Sequence, residues 1–242
     1  MQITLLGTGD AIGTPKIGCD CENCRAMTAA GRSRLRTSLL IETDKKHILI
    51  DSSPDLRQQL LRACSPHIDA VLWTHGHYDH FIGFGEFYRV QKVPPAYAAP
   101  PVIDYCSGYL HFLSFVKHPV PVYEPFDLFG VTFTFFPVNH PPVYTCGLLI
   151  EHGGIAVAYT ADTREDIPKE SRDLLLATDI DLLFVDAIAP AGYSISKHMN
   201  YAEAVRFARD VGARDYRCVH MSHMVPPDMP HAGYDMETFC WE

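Results

Sequence analysis

The stretch Thr74-His75-Gly76-His77-Tyr78-Asp79-His80 constrains this chain more than any other. Three imidazoles and a carboxylate crowd together directly after Asp69-Ala70-Val71-Leu72-Trp73, an apolar run that reads as a buried strand. A strand that ends in a ligand cluster presents it at the edge of a sheet. Neutral imidazole nitrogens mixed with a hard carboxylate oxygen suit Zn²⁺, Mn²⁺, Fe²⁺ or Ni²⁺. In a tight turn, His75 and His77 converge on one ion while Asp79 and His80 face a second. Four ligands do not close two sites, so more must come from elsewhere. The competing reading is a His-rich solvated loop that binds nothing; the order and spacing of the cluster speak against it.

Length and composition narrow the rest. A chain of 242 residues makes one large domain or two small ones. No internal repeat or linker divides it, and strand-rich stretches alternate with helices in both halves, so one α/β domain over residues 1–242 is expected. The hydrophobic share of 47% and charged share of 20% are ordinary for a soluble globular enzyme. There is no 18-residue apolar run, which excludes a membrane span. Met1–Leu6 reads as a first strand rather than a secretory signal, so the expected location is cytoplasmic. A net charge of −9 argues against adhesion to nucleic acid or anionic lipid. It leaves an anionic substrate open, because bound metal ions are the largest local charges in such a site. Three of the eight cysteines crowd together and the others are scattered, which is not a disulfide framework.

Along the chain, polar ligand-type residues gather at strand ends. The first strand ends in the turn Gly7-Thr8-Gly9, and a loop leads to Cys19-Asp20-Cys21-Glu22-Asn23-Cys24. In a reducing compartment this spacing reads as a zinc site one ligand short; a redox pair at Cys21 and Cys24 would need a thioredoxin-like context that the loop does not provide. Arg25–Arg36 is basic and helical by pattern, and Thr37–Thr43 pairs with His47–Asp51 as a hairpin over Asp44-Lys45-Lys46. Ser53 is placed as a helix cap with Pro54 at the first helical position. Asp51 has two open readings: it caps the next turn, or it accepts the second N–H of a metal-bound imidazole. Pro94–Pro101 reads as a loop, followed by a helix from Val102. The strand Val131–Val138 runs into Asn139-His140, a hairpin ends at Ala161-Asp162, and Asp181–Asp186 is a buried strand. Asn200-x-x-Glu203 opens an amphipathic helix, and the last strand, Tyr216–Val219, leads into His220-Met221-Ser222-His223.

His-x-His-x-Asp-His after a strand resembles the signature of the metallo-β-lactamase superfamily. That resemblance implies an α/β fold, an αββα sandwich with a two-metal site along one edge of its paired sheets. By the same resemblance His75, His77 and His140 hold one ion, Asp79, His80 and His220 hold the other, and Asp162 bridges them. Two ions about 3.5–4 Å apart supply a strong nucleophile at neutral pH, so Asp79 counts among the catalytic groups as well. The loop Gly7-Thr8-Gly9, Gly13-Thr14-Pro15 and Gly18 to Cys24 is similar to that of PhnP-type phosphodiesterases. It implies a separate structural zinc held by Cys19, Cys21, Cys24 and His223. His198, in Ser196-Lys197-His198, corresponds to a histidine that faces the substrate phosphate and could donate a proton to the leaving alkoxide; a solvated loop histidine is the alternative. The sequence departs from the pattern at Ser52-Ser53, where a glycine is common after Asp51.

The expected function is a dinuclear-metal phosphodiesterase acting on a small, cyclic phosphodiester. Its cofactors are two divalent ions, Mn²⁺ or Zn²⁺ with Ni²⁺ or Fe²⁺ open, and one structural Zn²⁺. The resemblance points to 5-phosphoribosyl 1,2-cyclic phosphate. Arg34 and Arg36 could hold a terminal phosphate, although a solvated basic face is the preferred reading. Three alternatives share the ligand set or the fold: a tRNA 3′-processing endonuclease, a lactonase or thioesterase, and a PqqB-like protein of cofactor biosynthesis. The endonuclease usually carries a protruding basic arm, for which this chain has no insertion. The expected partner is therefore a small phosphodiester, with neither a membrane nor nucleic acid, and a homodimer stays open.

Overall fold

Alternating apolar residues build two sheets. The computed structural model describes residues 1–44 and 46–241, so the expected hairpin turn at Asp44-Lys45-Lys46 lies partly outside the described residues. The chain first lays down β1 (Gln2–Gly7), β2 (Ser38–Thr43), β3 (Lys46–Ile50), β4 (Ala70–Leu72), β5 (Ala96–Ala98) and β6 (Lys117–Pro119). A second sheet follows with β7 (Phe126–Leu128), β8 (Val131–Val138), β9 (Thr145–His152), β10 (Ile155–Tyr159), β11 (Leu182–Asp186) and β12 (Asp215–Val219). The terminal β13 (Thr238–Cys240) returns to the edge of the first sheet beside β1. The sheet orders are β13-β1-β2-β3-β4-β5-β6 and β12-β11-β10-β9-β8-β7.

Each sheet is part antiparallel and part parallel. In the first, β3 to β6 run parallel; in the second, β10 to β12 do. Side-chain alternation decides what each strand buries. On β8, Phe133 and Phe135 enter the core between the sheets, while Phe136 and Val138 join the outer cluster. On β11, Leu182 and Phe184 point inward; Leu183 and Val185 meet α6 (Lys169–Ala177) and α7 (Tyr201–Asp210). Trp73, fully buried, fills the other side of the inter-sheet core. The earlier helices are α1 (Glu22–Ala29), α2 (Leu56–Arg62), α3 (Tyr78–Phe81), α4 (Phe87–Val90) and α5 (Pro100–Tyr109); α2 and α5 cover the first sheet. The architecture is the expected αββα sandwich. Among the described residues, no helix is long and apolar enough to cross a membrane.

Several local expectations change. Helix α1 starts earlier, at Glu22, and ends at Ala29, because Gly31 takes a left-handed φ of 61°. Ser53 does not cap α2: that helix begins at Leu56, and the Ser53 hydroxyl instead accepts from Asp55 N and donates to Gln59 Oε1. The Pro-rich stretch at 94–101 holds β5 and the start of α5, with prolines occupying the first helical turn where no N–H is needed. The box at Asn200 and Glu203 forms as expected, with 3.1 Å and 2.8 Å bonds.

One close approach fixes the metal-loop segment onto the end of β3. Ser52 N donates to His80 O at 2.7 Å and Gly83 N to Ser52 O at 3.0 Å. A Cβ at Gly83 would lie 1.8 Å from Ser53 O. Gly83→Ala is therefore expected to lower stability by about 1–3 kcal/mol through backbone displacement, read as a drop in denaturant midpoint. An unchanged midpoint would mean that this junction yields without strain.

Candidate metal centre

The parallel strands deliver their polar residues to one edge. Three of the strand exits carry a non-glycine residue in the left-handed region: Asp51 at φ 59°, Ala161 at 52° and His220 at 55°. Such backbone is costly for side-chain-bearing residues and persists where surrounding bonds over-determine it. Here the bonds are visible. Asp51 N donates to Leu72 O at 2.9 Å, and His220 N to Thr37 Oγ1 at 3.1 Å.

The residues expected to form two cages are brought together. His75 Nε2 lies 3.1 Å from His77 Nδ1, and His140 Nε2 lies 3.0 Å from that same His77 nitrogen. Asp162 Oδ2 sits 3.6 Å from His75 Nε2 and 3.8 Å from His140 Nε2. On its other side the same oxygen is 3.4 Å from His80 Nε2 and 3.2 Å from His220 Nε2. Asp79 Oδ2 completes the second group, 3.3 Å from His80 Nε2 and 3.4 Å from His220 Nε2. Donors about 2.0–2.1 Å from a tetrahedral ion are about 3.3 Å from one another. Both groups have that spacing, and Asp162 Oδ2 belongs to both.

The outward-facing atoms of the imidazoles fix their orientation. His80 Nδ1 donates to Asp51 Oδ2 at 2.7 Å, which leaves Nε2 for the cage. Thr74 donates both its N–H and its hydroxyl to Asp51, at 2.9 Å and 2.8 Å, and its oxygen accepts from His75 Nδ1 at 3.0 Å. Asp51 thus aims His80 directly and His75 through Thr74, one histidine in each cage. His140 Nδ1 donates to Lys197 O at 2.9 Å. A Cβ at Gly76, between the first two histidines, would meet the Tyr105 ring at 2.3 Å, so any larger residue there has to displace that tyrosine.

The electrostatics ask for cations. Asp51, Asp79, Asp162 and Asp186 are all buried within this layer. Burial pushes the Asp162 and Asp79 carboxyls up, but the imidazoles around them outweigh it and hold both well below the usual range. Burial likewise opposes a charged His80, yet Asp162, Asp79 and Asp51 hold its pKa well above the ordinary value. In cage one, burial dominates and takes His75 far down and His140 to about 4, leaving neutral donors. His80 Nε2 and Asp162 Oδ1 are buried with no protein hydrogen-bond partner. A neutral-nitrogen cage next to an anion-rich one, with unpartnered donor atoms aimed inward, is what divalent cations fit.

A further carboxylate, Asp186, escaped the sequence reading, which took Asp181–Asp186 only as a buried strand. Its Oδ2 accepts from His198 Nδ1 at 2.7 Å and from Thr163 N at 2.8 Å, and its Oδ1 lies 3.9 Å from His220 Nδ1. The signal was present, since Asp186 ends a buried strand just as Asp51 follows one. His198 stacks on His220 at 5.0 Å between ring centroids and lines a cleft of about 480 Å³ over both cages. It is not a free solvated loop residue.

The cysteine cluster also closes. Cys19 Sγ and Cys21 Sγ lie 3.6 Å and 3.5 Å from His223 Nδ1, and Cys24 belongs to the same group. Sulfur at about 2.3 Å and nitrogen at about 2.0 Å from a tetrahedral zinc are separated by roughly 3.6 Å. The hydrogen bond with His223 pulls the Cys21 thiol down to about 6. Asn23 Nδ2 donates to His223 O and Met224 O, tying the loop to the segment that follows His220. Arg34, expected on a solvated face or at a phosphate, does neither: it is buried and donates to Ser222 O, Val225 O and Pro226 O. Arg36 pairs with Asp55 at 3.0 Å.

Asp51→Asn keeps the shape of the side chain but loses the anionic acceptor shared by Thr74 and His80. It is expected to weaken metal affinity about 10–100-fold, measured by competition with a chelating indicator. Unchanged affinity and turnover would reduce Asp51 to a turn cap.

Comparison with known proteins agrees with this geometry. The family model described as "Beta-lactamase superfamily domain" matches residues 46–221. An octanoyltransferase of Porphyromonas gingivalis is 32% identical over 255 residues, covering 97% of this chain and 50% of that protein. A coenzyme PQQ synthesis protein B of Methylobacterium nodulans is 29% identical over 66% of this chain and 64% of its own length. The chain thus spans about half the length of the first curated relative and under two thirds of the second. Among solved structures, a diphosphatase of the PhnP family superposes with a TM-score of 0.86 at 29% identity, covering 100% of this chain and 98% of that one. The chain belongs to the metallo-β-lactamase superfamily, resembles the PhnP type within it, and has the fold and donor sets of that superfamily's metal-dependent hydrolases.

Proposed function

We propose that this chain hydrolyses a small phosphodiester at the cleft above the two cages. The observation that carries the reading is His198, tied to Asp186 at 2.7 Å beside His220 and facing that cleft. Likeness to a PhnP-family diphosphatase at 29% identity supports it. In this reading His75, His77, His140 and Asp162 hold one divalent ion, and Asp79, His80, Asp162 and His220 the other. When bound, such ions supply a nucleophile ionised near neutral pH and a counter-charge for phosphoryl oxygens.

The rest falls to the protein's own side chains. His198 Nδ1–H donates to Asp186, which leaves Nε2 for the substrate; in the doubly protonated ring it is the Nε2 proton that passes to the leaving alkoxide oxygen, and the ring returns to its Nδ1–H form. The Asp186 carboxylate keeps that ring in one tautomer and offsets the charge of its protonated form. Asp51 keeps the two cages in register through His80 and Thr74. His198→Ala is expected to lower kcat on bis-p-nitrophenyl phosphate about 10²–10⁴-fold with metal content unchanged. A mutant at the wild-type rate would remove His198 from the reaction. Cys19, Cys21, Cys24 and His223 would hold a closed structural zinc. One zinc per chain should then outlast brief dialysis against a chelator that strips the cleft, and loss of all metal together would refute a separate site.

A second reading is hydrolysis of an acyl thioester. It is favoured by one observation, that nearly the whole chain aligns with half of a protein named as an octanoyltransferase. The same cages can serve a carbon centre, because the superfamily's site hosts several chemistries. Octanoyl thioester, a lactone and bis-p-nitrophenyl phosphate, compared with Mn²⁺, Zn²⁺ or Ni²⁺ added, separate the readings. The first predicts turnover of the diester; turnover of the thioester alone would replace it with the second.

A further inference from the structure

Helix α5 is apolar on two sides. Val102, Ile103 and Cys106 pack it onto the first sheet. A helix docked by one stripe normally turns charge to the solvent. Here Tyr105, Tyr109 and Phe112 follow one another at i, i+4 and i+7, and they are 49%, 59% and 63% exposed. Between Lys92 and Lys117 the chain holds a single Asp, Glu, Lys or Arg, which is Asp104. Neighbouring elements extend this surface. Phe81 of α3 packs against both tyrosines, with ring centroids 6.2 Å and 5.8 Å away. The Phe112 ring reaches Gly85, where a Cβ would stand 3.8 Å from it. Tyr88 of α4, one helical turn past Gly85 and 55% exposed, continues the same side. Beyond it, Val90 and Leu61 line an apolar cavity of about 390 Å³ between α4 and α2.

These six exposed side chains, Leu61 and Val90 included, leave roughly 600 Å² of apolar surface uncovered, at about 200 Å² for a whole aromatic side chain. That is the upper end for the largest apolar patch on a monomer, about 300–600 Å². Homodimer interfaces are about 65% apolar and a standard interface takes about 800 Å² from each partner, so this patch with a polar rim has the size one copy must offer another. A net charge of −9 makes two copies repel in general, and this face carries little of it. Among its few charges, Arg89 on α4 and Asp104 on α5 are exposed, and neither forms an ion pair among the described residues. The Arg89 guanidinium rests over the Tyr88 ring, 4.6 Å from its centroid. We propose that this face is the interface of a homodimer. Two copies pack α4 and α5 across a two-fold axis, with the aromatic side chains at the centre and Arg89 of each copy against Asp104 of the partner subunit. The dimer is independent of which ester the cleft takes. It covers the helix whose Tyr105 backs the loop between His75 and His77.

Sedimentation equilibrium of the metal-loaded full chain tests this. Wild type should carry the mass of two chains at about 50 μM, with a Kd on the order of 1 μM or tighter. Tyr109→Asp combined with Phe112→Asp should sediment as one chain, while Leu176→Asp, an equally exposed site on α6, should stay dimeric. Arg89→Asp and Asp104→Arg lie on the surface and leave the fold alone, so they decide the matter even if the aromatic variant does not fold. Each reversal sets like charges together and should raise Kd about 10-fold or more; the two combined should recover to within about 3-fold of wild type. A dimer that survives the aromatic variant, or one that the paired reversals fail to restore, would overturn the proposal. A wild type that stays a single chain would overturn it as well. Flotation of that single chain with phosphatidylcholine vesicles, lost in the aromatic variant, would give the face to a lipid surface instead.

Discussion

Buried negative charge is the constraint on which this structure turns. Four carboxylates, Asp51, Asp79, Asp162 and Asp186, lie under one sheet edge with almost no access to water. An isolated carboxylate in such surroundings costs several kcal/mol, so each must meet donors or cations. The protein supplies the donors on the outside of the layer, with Thr74 and His80 on Asp51 and Thr163 and His198 on Asp186. Inside the layer it supplies imidazoles rather than lysine or arginine side chains. The donor groups so built fit positive charge from outside, and Asp162 Oδ2, within 3.8 Å of four histidines, is the atom the two groups share.

The left-handed residues at the strand exits follow from the same demand. Extended backbone at Asp51 or His220 would carry the side chain past the edge instead of turning it into the layer. The turn also couples the active layer to the cysteine loop. Two residues separate His220 from His223, and the chain from Ser222 to Pro226 is held by Asn23 and by the Arg34 guanidinium, whose pKa burial draws down to about 10. A charged side chain there serves carbonyls that would otherwise be unpaired, which explains why Arg34 is buried while Arg25 and Arg32 of the same basic stretch are exposed.

Much of this was legible in the amino-acid order. The His-x-His-x-Asp-His cluster names its own chemistry, and the strand-end positions of His140, Asp162 and His220 are readable because strands deliver residues to one edge. Asp51 carried two readings, and the 2.7 Å bond to His80 favours the orienting one. What escaped was tertiary. Asp186 looked like one more residue of a buried strand, because nothing local says that His198 will fold back onto it. Arg34 was read as solvated because composition cannot announce three carbonyls from nearly 190 positions away. The short strands β5, β6 and β13 have too few residues to show a period, and β5 and β6 are also crowded by prolines.

The account stands or falls on whether cations occupy the layer as drawn. Anomalous diffraction from crystals of the Mn²⁺-loaded protein measures this directly. It should give two peaks about 3.5–4 Å apart, one among His75, His77 and His140, the other among Asp79, His80 and His220, with Asp162 between them. A single peak, or peaks outside the reach of these side chains, would contradict it.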